Sequence, residues 1–154
     1  MYKLTIFLIV FFANISANST IKAQLPYNES INLVSSIQTY GIKYGNGQQN
    51  VYVFVDPLCR YSRKFISMIS KKPKMLSKYK YIIYLYEIPR LHSKNTIAAI
   101  YNSKEPVKVL LEVMLEDKKI SIMPTTKTQT TVDAISKIAQ KLHITKRPSI
   151  IVEK

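Results

Sequence analysis

The chain has 154 residues, of which 47% are hydrophobic and 21% are charged. This length is enough for one domain with a buried core, and the composition excludes a disordered tail or a collagen-like fibre. Three glycines, one cysteine and two histidines argue against a glycine-rich phosphate loop, a disulfide scaffold and a metal centre, so we expect no metal and no cofactor. The formal net charge of +14 favours acidic partners or anionic surfaces.

The first 23 residues have the order of an export signal. Met1–Lys3 is short and basic, Leu4–Ala13 is an unbroken apolar run, and Asn14–Ala23 is polar with small residues. The apolar run is too short for a membrane-spanning helix, which takes about 20 residues. We expect a mature domain of residues 24–154, with an uncleaved N-terminal anchor as the alternative, and the candidate last residues before the cut are Ala17, Ser19 and Ala23. Both interpretations place the domain in a compartment where disulfides form.

Four stretches of the remaining chain have the composition of strands. Val51–Val55 is a continuous apolar run, which is typical of a central strand covered on both faces, and Tyr81–Ile88 is predicted as a second central strand. Tyr40–Tyr44 precedes the first of these and is joined to it by a turn at Gly45–Gly47. The last predicted strand is Ser149–Val152.

Helical patterns separate these strands. Tyr27–Ile37 is weakly amphipathic, Cys59–Ile69 has apolar side chains at helical spacing, and residues 94–143 carry apolar residues three or four positions apart. The alternation of strands and helices predicts an α/β layer architecture.

The single cysteine, Cys59, lies where the strand Val51–Val55 gives way to a helix. Unpaired N–H groups and the positive end of the helix macrodipole stabilise a thiolate at such a position. Arg60, Arg63 and Lys64 follow within about one turn and favour the thiolate as well. A partly exposed thiolate attacks disulfides well. The alternative is that Cys59 is a small buried hydrophobic residue, which is the commoner fate of a lone cysteine.

Two segments resemble the thioredoxin superfamily, and within it the periplasmic DsbC/DsbG-type branch of thiol-disulfide interchange proteins. Val53–Lys64, with the sequence VFVDPLCRYSRK, is similar to the active-site segment of that branch. Ile144–Val152, with the sequence ITKRPSIIV, is similar to the segment that holds its cis-proline and the following strand. The resemblance implies a thioredoxin-like fold in which residues 89–143 form the helical insertion of the branch.

The resemblance also implies which residues form the site. Cys59 is the nucleophile, and Ser62 occupies the second catalytic position, where the branch has another cysteine. Pro148 is the cis-proline, with Arg147 beside it, and the loop that they form binds the client peptide. Because a serine cannot resolve a mixed disulfide, the C-R-Y-S motif permits disulfide shuffling and client capture but not net dithiol oxidation.

The sequence departs from this branch in three further ways. Lys146 and Arg147 replace residues that are usually glycine and a small hydroxyl residue, so we expect two cations to face the thiol and their bulk to narrow client access. The chain ends at Lys154, so the fold is expected to lack the last strand and the C-terminal helix. We also expect no N-terminal dimerisation domain of the DsbC kind.

Two functional hypotheses remain open at this point. The first is an exported, periplasmic thiol-disulfide exchange protein, similar to a disulfide isomerase, that acts on client proteins through Cys59 alone. The second keeps the fold without the chemistry and makes the protein a binding or assembly component of a cell-envelope complex.

Other features carry less weight. His92 could form a Cys–His pair with Cys59, although a surface loop is the commoner place for such a histidine. A cluster of lysines follows the predicted helix Cys59–Ile69 and comprises Lys71, Lys72, Lys74, Lys78 and Lys80. We expect these lysines to form a solvent-exposed face. The functional alternative is that they bind an anionic membrane or an acidic patch on a protein. Nucleic acid is not an expected partner, because RNA binding would need a cytosolic location.

Overall fold

The structure, a computed structural model, describes residues 25–154, and the predicted signal segment, residues 1–23, lies outside the described residues. The described part contains four strands and six α-helices. The strands are β1 (Ile42–Tyr44), β2 (Gln49–Val55), β3 (Tyr79–Leu85) and β4 (Ser149–Val152). The helices are α1 (Tyr27–Ser36), α2 (Arg60–Ser70), α3 (Pro73–Lys78), α4 (Lys94–Tyr101), α5 (Pro106–Leu115) and α6 (Thr126–Lys141).

The four strands form one mixed sheet in the order β1-β3-β2-β4. The central pair, β2 and β3, is parallel, and each edge strand runs antiparallel to its neighbour. The carboxyl ends of β2 and β3 therefore lie at the same edge of the sheet, and β4 begins at that edge because it runs in the opposite direction. Three chain segments meet there: the ones after β2, after β3 and before β4.

The first two strands are joined through the predicted glycine turn, but they do not pair with each other. Residues 45–48 instead pass across the start of β3, where the Asn46 N–H donates to the carbonyl of Leu76 and the Gly47 N–H donates to that of Tyr79. Gly45 has a φ of 90°, and a Cβ there would lie 2.5 Å from the Tyr79 carbonyl oxygen. The turn requires glycine because the crossing chain touches the backbone of β3.

Alternating side chains of the central strands face two different helix layers. Val51, Val53 and Val55 pack with buried residues of α2, α4 and α5 on one face. Tyr52 and Phe54 pack with buried residues of α1 and α6 on the other face. The α/β layer prediction and the two central strands covered on both faces are confirmed. Within residues 25–154, none of the helices has the length and apolar character that a membrane crossing requires.

The burial of side chains falls from the centre of the sheet to its edge at β4. The loss in free energy of unfolding on truncating a side chain should fall in the same direction. Ile83, Val53 and Ile150 are aligned across three neighbouring strands. Ile83 is fully buried whereas Ile150 is 46% exposed. We expect Ile83→Ala to lower the free energy of unfolding by about 2–5 kcal/mol and Ile150→Ala to lower it by less than about 1 kcal/mol. Urea denaturation of the two variants measures the difference, and equal losses would contradict this sheet order.

Candidate functional site

Cys59 lies at the junction between the sheet and α2. Its backbone is extended, with φ of −76° and ψ of 122°, and it occupies the N-cap position of the helix. Its carbonyl accepts the first helical hydrogen bond, from the N–H of Arg63, while its own N–H donates to the carbonyl of Asp56. The thiol therefore lies beside the unpaired N–H groups of the first turn of α2, as the sequence predicts.

The loop before β4 lies against the sulfur. The Sγ of Cys59 donates to the carbonyl oxygen of Arg147 at 3.7 Å, and the Arg147–Pro148 peptide bond is cis. Cys59 is only 7% exposed, which is less than a partly exposed reactive thiol would show and agrees with the alternative of a buried cysteine. The sulfur belongs to neither apolar cluster of the core. It is covered by the surface loop that holds Arg147, and its hydrogen bond to the Arg147 carbonyl occupies the thiol.

Ser62 is fully buried one turn into α2. Its hydroxyl accepts a hydrogen bond from the backbone N–H of Asp56 at 3.3 Å. The serine thus connects the helix to the segment that follows β2. Cys59 and Ser62 lie on the same helix start, and the Ser62 hydroxyl is engaged by the backbone.

The carboxylate of Asp56 is fully buried and accepts three hydrogen bonds. They come from the N–H of Leu58 at 2.8 Å, from the N–H of Ile88, and from the hydroxyl of Ser93 at 2.8 Å. The sequence pattern Asp-Pro at a strand end indicates a simple turn, and the bond to Leu58 fits that interpretation. The bonds to Ile88 and Ser93 join this turn to the segment after β3. Sequence reasoning missed them because both partners are more than 30 positions away.

The guanidinium of Arg147 does not face the thiol, contrary to the expectation from sequence. It donates to the backbone carbonyls of Tyr86 at 3.2 Å, Glu87 at 2.7 Å and Thr145 at 3.3 Å. Its central carbon lies 3.8 Å from the centroid of the Tyr86 ring, in a cation–π contact. Arg147 thus fixes its loop against the end of β3 and presents only its carbonyl to the sulfur.

Within residues 25–154, the cations of α2 form no hydrogen bond with the thiol of Cys59. Arg60 is exposed and lies over the ring of Tyr61, and Lys64 is exposed. Arg63 donates to the carbonyl of Pro57 at 2.8 Å and forms an ion pair with Asp117 at 2.6 Å. Hydrogen bonds from Lys119 and Arg63 lower the pKa of Asp117 to about 2.

The remaining candidate, His92, is exposed in a left-handed conformation with φ of 50°. In the described residues no hydrogen bond joins His92 to Cys59. The part of the chain that the structure describes therefore contains no hydrogen-bonded Cys59–His92 pair.

A comparison with protein-family models and one with curated proteins found no match to this sequence. Solved structures do match. A disulfide interchange protein from Neisseria gonorrhoeae is 18% identical with a TM-score of 0.57, over 73% of this chain and 79% of that chain. The catalytic domain of Proteus mirabilis ScsC is 12% identical with a TM-score of 0.65, over 82% and 86%. The thiol-disulfide exchange protein alpha-DsbA2 from Wolbachia pipientis is 13% identical with a TM-score of 0.59, over 82% and 86%.

At these identities the likeness is one of fold. The described chain has the thioredoxin-like fold of Dsb-type thiol-disulfide interchange proteins, and the fold predicted from its two motif segments is confirmed. Along the whole sequence there is a single cysteine, Cys59.

The buried carboxylate of Asp56 gives a sharp test of this arrangement. Asp56→Ala leaves two backbone N–H groups and one hydroxyl without their acceptor, so we expect the free energy of unfolding to fall by about 3 kcal/mol. Asp133→Ala is the matched control, because Asp133 is exposed and accepts only from Gln129 of its own helix. We expect a loss below about 0.5 kcal/mol for the control. Thermal or urea unfolding measures both, and a mild effect at Asp56 would contradict its bridging role.

Proposed function

We propose that the protein exchanges thiols and disulfides in client proteins, with Cys59 as its only nucleophile. The observation that carries the proposal is the position of the Cys59 sulfur at the start of α2, 3.7 Å from the Arg147 carbonyl. Support comes from the fold, which the chain shares with thiol-disulfide interchange proteins. Thiolate is the reactive form, and a helix start stabilises it.

The reaction proceeds through one mixed disulfide. The Cys59 thiolate attacks one sulfur of a client disulfide, which forms the Cys59–client bond and releases the other client sulfur as a thiolate. A second client thiolate then attacks the client sulfur of the mixed disulfide. This step forms a new client disulfide and returns Cys59 as a thiolate. The number of disulfides is unchanged, so the cycle needs no oxidant and no cofactor.

The proposal assigns client binding to the loop of Arg147 and Pro148. When the client displaces the thiol from the Arg147 carbonyl, that carbonyl becomes available to a backbone N–H of the client. The guanidinium of Arg147 keeps the loop in place through its bonds to the carbonyls of Tyr86 and Glu87. Ser62 positions the start of α2 through Asp56 and does not take part in the exchange.

Mixed disulfides provide the decisive measurement. With wild-type protein we expect clients trapped on Cys59 in non-reducing gels, and faster reactivation of a substrate with scrambled disulfides. Cys59→Ala should abolish both, because no other cysteine exists in the chain. Ser62→Cys should shorten the life of the trapped complexes. The introduced thiol attacks Cys59, forms an internal disulfide and releases the client as a thiol.

The competing hypothesis is a binding or assembly component of an envelope complex, and the burial of Cys59 at 7% exposure is the observation that favours it. The two hypotheses differ in how the Cys59→Ala variant behaves. If that variant recovers the same partners as the wild type, and no client is trapped on Cys59, the exchange function is refuted.

We also propose that residues 1–23 export the domain to the periplasm, where client disulfides exist. Residues 1–30 fused to a reporter enzyme that needs disulfides for activity should give an active reporter. Ile9→Arg interrupts the apolar run and should abolish that activity. Equal activity of the two fusions would contradict the export assignment.

A further inference from the structure

A groove runs along α2 from Leu58 and Arg60, the sequence neighbours of Cys59, toward the far end of the helix. It lies between α2 and the end of α5 and encloses about 750 Å³, within the usual range of ligand pockets. Its apolar lining comprises Leu58, Met68, Met114 and Leu115. Met68 and Leu115 are each 41% exposed, so the groove presents apolar surface to solvent. Methionine side chains adapt to ligands of different shape.

The rim of this groove is cationic. Its cations are Arg60 and Lys64 of α2 and Lys71, which directly follows the last turn of that helix. Spacings of four and seven residues place the three on one helix face. Within residues 25–154 none of the three takes part in an ion pair.

Glu116, which follows Leu115 at the end of α5, is exposed and forms no ion pair within residues 25–154. Two other acidic side chains near the groove are paired. Asp117 binds Arg63 and Lys119, and Glu112 binds Lys118. The residues that line the groove include the three unpaired cations and no acidic residue, so the charge of its lining is positive.

We infer that this groove binds the flank of the client's reactive cysteine, and that it selects segments in which apolar residues alternate with Asp or Glu. The inference rests on the exchange function proposed above and names its class of substrate. Apolar side chains match the lining, and carboxylates match the unpaired cations. A bilayer surface cannot enter a groove between two helices, and a second copy of a chain with a net charge of +14 is repelled.

The length of the helix sets the length of the recognised segment. Residues 59 to 71 correspond to a rise of about 18 Å along α2. About five or six residues of extended chain span that distance. The selected residues of the client are therefore expected within about six positions of its cysteine.

Binding is tested apart from the chemistry with fluorescent peptides in which serine replaces the cysteine. One peptide alternates Leu with Glu beside the serine, and a second has Lys in place of Glu. The protein is the Cys59→Ala variant, and fluorescence anisotropy gives the affinities. We expect the acidic peptide to bind about tenfold more tightly than the lysine peptide. Lys64→Glu combined with Lys71→Glu should remove that preference.

The matched control is Lys137→Glu combined with Lys141→Glu. Both lysines are exposed on α6, on the other side of the sheet, and the change in net charge is identical. We expect the control pair to change the affinity less than about twofold at physiological salt. Equal losses from the two pairs would mean general charge attraction and would overturn the inference.

A second arm separates this inference from the exchange function. The acidic peptide with its cysteine coupled to thionitrobenzoate reacts with wild-type protein, and the released thionitrobenzoate is measured by its absorbance. Release without any preference for the acidic peptide would overturn the groove and keep the exchange function. Selective binding of the acidic peptide without release of thionitrobenzoate would refute the exchange function and keep the groove. If the α2 variants lose binding only to phosphatidylglycerol vesicles, or change only self-association in sedimentation, the peptide groove is refuted.

Discussion

The geometry at Cys59 depends on how two buried charges hold the short segment that follows β3. The carboxylate of Asp56 accepts from the N–H of Ile88, and the guanidinium of Arg147 donates to the carbonyls of Tyr86 and Glu87. The two charged groups do not pair with each other, and each forms hydrogen bonds with backbone groups of that segment. Buried charges are tolerated when hydrogen bonds compensate their desolvation. The segment thereby fixes the distance between the start of α2 and the loop before β4, and hence the environment of the sulfur.

The parts of this structure that could be predicted from sequence are those set by local patterns. The continuous apolar run of β2 indicates burial on both faces, and β4 has the predicted bounds of Ser149–Val152. The cysteine at a strand–helix junction is equally local. The crossing of residues 45–48 over β3 and the direction of the Arg147 guanidinium could not be predicted in this way. Both depend on contacts between segments distant in sequence, and several arrangements satisfy the same local pattern.

Position 62 has a serine where the family motif has a cysteine, and the effect of this difference becomes clear only in the structure. From sequence it counts as a lost cysteine, with a purely negative consequence for redox chemistry. In the structure its hydroxyl accepts the Asp56 N–H inside a fully buried site. A thiol is a weaker acceptor than a hydroxyl, so the serine satisfies this N–H better than a cysteine would. A serine at position 62 therefore leaves the motif without a second sulfur and at the same time gives the Asp56 N–H the stronger acceptor.

The cationic rim bears on the chemistry as well as on binding. In the proposed exchange, attack by the Cys59 thiolate would bring a negative sulfur toward the client and expel a second negative sulfur from it. Carboxylates beside the client's disulfide would repel both sulfurs at distances of several ångströms. Arg60 and Lys64, exposed on the first turns of α2, offset that repulsion once the carboxylates are bound to the rim. Under this proposal, the positive surface matters most for clients that are rich in acidic residues near their cysteines. Added salt should slow the reaction of these clients more than that of neutral clients.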